Sequence, residues 1–285
     1  VAHHVSPNLG HLRLSEVRPK HLQKVLDDAL DAGLSPRSVL QVHRILHAAF
    51  RQAVRWGDLA VNPADGVTPP ETKRPKLTIP TPEQVASILT HAEERYRVPL
   101  ALAAATGLRR GELAGLRWSN VELDADSSVT VDSSLQWIGG KLTMVPPKTE
   151  RGYRRVPLSA SVVALLRRHR RQQHERRLIV GPAWKDGDYL FDSGYGKPME
   201  PDALSHAFIA ATRAAGLTGV RLHDLRHAYL TKLVESAVPI SLVSQMAGHA
   251  TASFTIATYV HHDADAAKVV ADAVEGTLGD ALQNL

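Results

Sequence analysis

The 285-residue sequence contains no cysteine. That absence removes disulfides, thiolate nucleophiles, Cys-ligated zinc and iron–sulfur clusters together. No apolar run approaches the ~18 residues of a membrane span, so no membrane partner is expected. The opening VAHHVSPNLG lacks a charged-then-apolar pattern, nothing points to export, and a cytoplasmic, nucleoid-associated location is expected. Position 1 is not methionine, and the chain reads as N-terminally truncated. Familiar catalytic signatures are missing as well. There is no G-x-x-x-x-G-K-[ST] loop, no G-x-S-x-G elbow and no H-E-x-x-H metal helix. His223 and His227 stand four apart, a spacing that would let two imidazoles share a metal. No third ligand accompanies them, so neither a metal nor another cofactor is expected.

What is present is ordinary in amount and uneven in place. Hydrophobic residues at 44% and charged residues at 22% suit a globular chain and exclude global disorder. Lys and Arg exceed Asp and Glu by 34 to 29, a net +5 that favours a polyanionic partner only weakly. Residues 141–180 hold eleven Lys and Arg against Glu150 and Glu175. This block is expected to face phosphates, although on SVVALLRRHRRQQHERR long arginines also serve as a solvated helix face. Residues 262–285 are acidic, with Lys268 as their single base.

The length allows one large domain or two ordinary ones. KHLQKVLDDALD (20–31) has helical apolar spacing. Ser35-Pro36 then opens a second helix, with Ser as N-cap and Pro at the first helical position, running to Gly57. Its apolar face (Val39, Val42, Leu46, Ala49, Phe50, Ala53, Val54) needs a partner, and the preceding helix supplies one. Residues 62–82 hold six of the seventeen prolines and read as an extended linker. Thr81-Pro82-Glu83-Gln84 is a capping box that starts a second region. The expected organisation is a helical domain over 1–68, a linker over 69–80 and a mixed domain over 81–285. VPLALAAATG reads as a buried helix. SVTVDSSLQW, KLTMVP and YRRVPL read as three antiparallel strands, with Gly139-Gly140 as the first turn. Helices are expected at about 159–178, 201–215, 223–236, 239–247, 251–260 and 264–275. The fold class is therefore mainly α with a small antiparallel β-sheet (α+β).

Three stretches carry chemistry. ATGLRRGEL places Arg109 after a helix-ending glycine and Glu112 three residues on, where it either fixes that arginine or simply answers the helix dipole. HDLRH places His223 and Arg226 on one helical face. Gly248-His249 is followed ten residues later by Tyr259. Pro147-Lys148-Thr149 lies at a strand end inside the basic block. Taken together and in this order, these residues closely resemble the tyrosine recombinase (phage integrase) family along nearly the whole chain. TGLRRGEL resembles the segment with the family's first arginine (Arg109) and acidic partner (Glu112). HDLRH resembles the segment with its histidine and second arginine (His223, Arg226). AGH supplies the later histidine (His249), ATYVH the tyrosine nucleophile (Tyr259), and PPKTERGYRRVPL the hairpin lysine (Lys148). Residues 9–65 resemble the helical core-binding domain, with its first helix missing and no arm-binding domain visible before it.

The resemblance implies a site-specific DNA recombinase of a phage or other mobile element, working through a 3′-phosphotyrosine intermediate on double-stranded DNA. Four protomers would synapse two sites as a tetramer, each domain pair closing as a clamp, with accessory DNA-bending or excision factors as further partners. The chemistry of the residues agrees. A phosphodiester under attack gathers negative charge on its non-bridging oxygens, and an arginine fork answers it without losing its own charge. A phenol near pKa ~10 needs a proton acceptor, for which His223 is favoured over His249. The leaving hydroxyl needs a proton, and Lys148 is favoured over Lys141. Arg151, Arg154, Arg155, Lys73, Arg74 and Lys76 are expected to contact the DNA backbone. His227, Tyr229 and Trp118 are expected to be structural, and 264–285 to pack on a neighbouring protomer. A type IB topoisomerase, or a relative that binds DNA without cutting it, are the alternatives.

Overall fold

The computed structural model describes residues 3–72, 79–124 and 126–248. His249, Tyr259, Lys73, Arg74, Lys76 and the segment 264–285 lie outside the described residues. The chain divides into two compact units, Val1–Lys76 and Leu77–Leu285.

In the first unit, α1 (Ser6–Leu9) precedes α2 (Pro19–Asp31) and α3 (Pro36–Trp56). Ser35 caps α3 as its sequence predicts, its Oγ accepting the Ser38 N–H at 3.2 Å. The two long helices share a core of Leu22, Val25, Leu26 and Ala29 against Val39, Leu46 and Phe50. Spacing predicts Ala49 on that inner face, but it is exposed. The proline-rich stretch is not extended throughout, because Pro63–Gly66 forms a 3₁₀ turn with Pro63 and Ala64 buried. That turn is pinned by His47 Nε2 against Asp65 Oδ1 (2.9 Å) and by Asn62 Nδ2 donating to the His47 carbonyl (3.2 Å).

The second unit is built around α5 (Glu94–Thr106), whose residues Leu100, Leu102 and Ala103 are buried. A helix with so little polar face has to be covered on several sides. Its covering elements are α4 (Pro82–His91), α6 (Arg110–Gly115), α7 (Ala160–Val180), α8 (Pro201–Ala214) and α9 (Leu222–Glu235). Helix α4 starts at the predicted capping box: Thr81 Oγ1 accepts the Gln84 N–H (3.3 Å) and Gln84 Oε1 accepts the Thr81 N–H (3.0 Å). The core includes Leu113, Phe191, Leu204, Phe208 and Leu225. Helix α10 (Ile240–Ala247) packs on α9 through Val243 and Ala247 against Leu230.

The strands differ from the expected single sheet. Asp132-Ser133 interrupts the first predicted strand, leaving β2 (Ser128–Val131) and β3 (Ser134–Ile138) in different sheets. β1 (Val121–Glu122), β2 and β5 (Arg154–Pro157) form a three-stranded antiparallel sheet in the order β1-β2-β5. β3 and β4 (Lys141–Val145) make a separate hairpin, with Ile138 opposite Lys141 and Gly139-Gly140 at its tip. Asp132 is held by Asn120 Nδ2 (2.8 Å) and Ser133 Oγ (2.7 Å), polar bonds that turn the chain out of one sheet into the other. The hairpin lies on α6, where Gly111 is obligatory: a Cβ there would stand 2.5 Å from Ser134 Oγ and 2.9 Å from the Leu135 carbonyl oxygen.

Gly107 ends α5 in the left-handed region (φ +63°), with the Tyr229 ring against it. A Cβ at this position would meet Tyr229 Cδ1 at 2.5 Å. Gly107→Ala is expected to lower the unfolding free energy by about 2 kcal/mol, from left-handed strain plus displacement of the tyrosine. Urea denaturation measures it, and an unchanged midpoint would refute the packing described.

Candidate active site

Three arginines from three elements converge on the carboxyl end of α10. Arg109 immediately precedes α6. Its backbone N–H donates to Glu112 Oε2 (2.8 Å) and its Nη1 to Glu112 Oε1 (2.9 Å). Its Nη2 reaches the carbonyls of Ala247 (3.4 Å) and Gly248 (3.3 Å). Arg226, on α9, is buried and donates through Nη1 to the Gly107 carbonyl (2.7 Å) and through Nη2 to the Ala247 carbonyl. Arg154, on β5, donates through Nε to the Met246 carbonyl (2.9 Å). These carbonyls belong to the end of a helix, where the last C=O groups lack intrahelical donors and carry partial negative charge.

The structure thus brings together Arg109, Glu112, His223 and Arg226 of the residues predicted from sequence. Arg154 needs correction. Expected to contact DNA, its side chain has no exposed surface and forks onto Glu112, with Nη1 to Oε1 at 3.0 Å and Nη2 to Oε2 at 2.7 Å. The strand alternation decides this, since Arg154 faces inward and Arg155 outward. Arg155 is exposed, donating to Ser128 Oγ (2.5 Å) and the Asp126 carbonyl (2.8 Å). Arg151 and Lys148 are exposed in the segment joining β4 to β5. Among the described residues, no hydrogen bond or ion pair joins Lys148 to the arginine cluster.

Glu112 is the acid of this cluster. Burial pushes its carboxyl up, but hydrogen bonds and charge from Arg154, then the Arg109 N–H and guanidinium, outweigh it and pull the carboxyl down to about 2. His223 sits at the start of α9, its ring edge-on to His227 with centroids 5.0 Å apart. Burial, then the charges of His227, Arg226 and Arg109, push its imidazole down to about 4, with Asp224 opposing. A neutral imidazole beside two guanidiniums retains a lone pair that can take up a proton. Burial raises the Tyr229 phenol, keeping it protonated against Gly107. A pocket of about 310 Å³ opens beside His223, lined by Leu108, Arg110, Ser205, Ile209 and Arg221. Trp118 is half-buried, its Nε1 donating to Gln173 Oε1 at 2.6 Å.

The first unit carries a basic surface that no motif in the sequence marks. Arg37, Arg44, Arg51 and Arg55 on α3 are all exposed, and α3 contains no acid. Their spacings of seven, seven and four residues keep them within about 40° of arc along about 27 Å of helix. By contrast Arg167, Arg176 and Arg177 on α7 are paired with Asp124, Asp192 and Asp186. The heptad-like spacing was the signal available in the sequence.

Two titrations follow. The Glu112 carboxyl lies below its ordinary 4.5, so its stabilisation is complete above pH 4.5 and drains away as pH falls toward 2. Over that window the wild type should lose on the order of 3 kcal/mol that Glu112→Gln does not; parallel acid-unfolding curves would contradict it. By NMR, the His223 imidazole of the free protein should titrate near 4, well below the ordinary 6.5. A midpoint at or above 6.5 would remove the neutral imidazole from the site.

The chain is similar to known proteins in sequence and in fold. The model of the Phage integrase family matches residues 80–266. The tyrosine recombinase XerC-like protein of Caldanaerobacter subterraneus is 27% identical over 268 residues, covering 88% of this chain and 68% of that protein. The ICEBs1 integrase of Bacillus subtilis is 27% identical over 276 residues, covering 95% and 72%. Among solved structures, the Tn1549 transposon integrase in complex with transposon right end DNA superposes with a TM-score of 0.78 at 22% identity, covering 93% of this chain and 88% of that one. A lambda integrase tetramer bound to a Holliday junction gives 0.62 at 20% identity, covering 90% and 70%. With the family's motifs in order and its fold in both units, the chain belongs to the phage integrase family of tyrosine recombinases.

Proposed function

We propose that the chain is a site-specific DNA recombinase of a mobile element, cutting and rejoining double-stranded DNA through a 3′-phosphotyrosine intermediate. The observation that carries this reading is the convergence of Arg109 and Arg226 on one helix end beside a neutral His223. The two guanidiniums hold the non-bridging oxygens of the scissile phosphate, where the transition state concentrates charge. One well-placed donor of this kind contributes on the order of 3–4 kcal/mol to the barrier. The phenolic oxygen of Tyr259 attacks phosphorus, and the bond from phosphorus to the 5′-oxygen breaks. His223 takes the phenolic proton, Lys148 protonates the departing 5′-hydroxyl, and His249 donates a hydrogen bond to the phosphate. The phosphotyrosine ester keeps the energy of the broken bond, so rejoining to a new 5′-hydroxyl needs no ATP. The lambda tetramer on a Holliday junction supports a four-protomer synapse for this chain too.

DNA affinity, in this reading, comes from exposed cations around the site and on α3. Arg37, Arg44, Arg51 and Arg55 run along DNA phosphates, with Arg151 and Arg155 doing the same in the second unit. Lys73, Arg74 and Lys76 add charge at the end of the first unit's sequence. Salt should weaken binding steeply, because each phosphate contact releases counterions.

A nicked duplex carrying a cognate site is the direct test. Wild type should trap a covalent adduct, while Tyr259→Phe and Arg226→Ala should form none, the Phe variant binding DNA as wild type does. An adduct persisting in Tyr259→Phe would remove the nucleophile. In binding titrations, Arg44→Ala with Arg51→Ala should reduce the slope of log K against log salt by about 2. An unchanged slope would take α3 off the DNA.

A further inference from the structure

Arg154 has no exposed side-chain surface, and it bonds outside its own strand. Its Nε serves Met246 of α10 at 2.9 Å, and its fork serves Glu112 of α6 at 3.0 and 2.7 Å. A further contact runs from Nη1 to the Gly152 carbonyl (3.4 Å), in the turn just before β5. Glu112 passes the constraint on, since the same two oxygens that accept Arg154 also accept the backbone N–H and Nη1 of Arg109. Arg109 then returns to the carbonyls of Ala247 and Gly248, next along the chain from Met246. The bonds close a ring: Arg154, Glu112, Arg109, the end of α10, and Arg154 again.

Such a ring does something that burial of apolar side chains does not. Replacing a buried ion pair by well-packed hydrophobic residues is often neutral or stabilising, so stability alone does not call for charges here. The ring fixes direction. The Glu112 carboxylate has both oxygens held by the Arg154 fork, which sets the direction from which Arg109 meets them. The Met246 bond holds the helix end that Arg109 touches. The strand carrying Arg154 follows directly on the segment with Lys148, so one guanidinium ties three parts of the site to one frame.

Resting on the recombinase reading above, we propose that Arg154 is a positioning residue for strand cleavage: it orients Glu112 and the end of α10 so that Arg109 is aimed at the scissile phosphate. Lysine in its place keeps the charge opposite Glu112 but has no planar fork, and it cannot hold both carboxylate oxygens and the Met246 carbonyl in one plane. The ring would loosen while the buried charge stayed compensated.

The test uses a nicked duplex carrying a site that the wild-type protein itself selects from random-sequence DNA, at saturating concentration and single turnover. Arg154→Lys should melt within a few degrees of wild type and bind the duplex within about threefold. Its rate of adduct formation should fall on the order of 100-fold, the usual cost of a small misplacement at a reacting centre. The discriminating measurement is the cycle with Arg109→Lys. If Arg154 acts through Arg109, adding Arg154→Lys to Arg109→Lys should slow cleavage by less than about threefold further. A full further loss in that background, or wild-type cleavage by Arg154→Lys alone, overturns the inference. Should Arg154→Lys fail to fold, Arg154→Met combined with Glu112→Gln removes both buried charges together. That pair should show the same loss at retained affinity, and wild-type cleavage by it would equally overturn the inference. If wild type traps no adduct on any selected site, the recombinase reading itself falls, and this inference with it.

Discussion

One buried carboxylate organises the second unit's chemistry. Glu112 stands between two guanidiniums that would otherwise repel, and its two oxygens carry four donors from Arg109 and Arg154. Remove it, and Arg154 becomes an uncompensated charge in the protein interior, the costliest kind of defect. The arrangement leaves more guanidinium charge than carboxylate charge around the end of α10. Part of that surplus is absorbed by helix-end carbonyls, and Arg109 remains partly exposed. A site with surplus positive charge is suited to an anion with two free oxygens.

The same charge logic separates the two basic surfaces. The arginine-rich helix α7 is conspicuous in the sequence, yet three of its arginines are engaged with aspartates from neighbouring loops. Arg170 lies over the Trp118 ring, 5.1 Å from its centroid. Much of that helix's charge therefore serves to fasten loops to it. Helix α3 has fewer arginines but no acid of its own, and among the described residues no ion pair engages Arg37, Arg44, Arg51 or Arg55. Counting cations in a window does not separate paired arginines from unpaired ones.

The legible parts of the molecule were those decided locally. The N-cap of α3 and the capping box of α4 depend on a few adjacent residues, and both stand where their residues put them. Local spacing paired Arg109 with Glu112 and His223 with Arg226, but the meeting of the two pairs was legible only through a resemblance, since they lie in separate segments and nothing local joins them. Arg154 and Arg155 could not be told apart, because strand register alone turns one inward and the other outward, and register is set by pairing with β2. The break at Asp132-Ser133 was hidden for a related reason: the composition continues as strand while side-chain hydrogen bonds bend the chain away.

The β3–β4 hairpin has two ends with opposite tolerances. At its base, the backbone of Leu135 lies against Gly111, so tightly that a single methyl group has no room, and Gly111 is flanked in sequence by Arg110 and Glu112. At its tip, Gly139 and Gly140 have nothing within 4 Å of where a side chain would begin. Lengthening a free loop costs little, about 0.6 kcal/mol per doubling. Across divergent descendants of this chain, insertions should accumulate at residues 139–140 while the residue at 111 stays glycine, so the hairpin can change its reach without disturbing the helix start on which it rests.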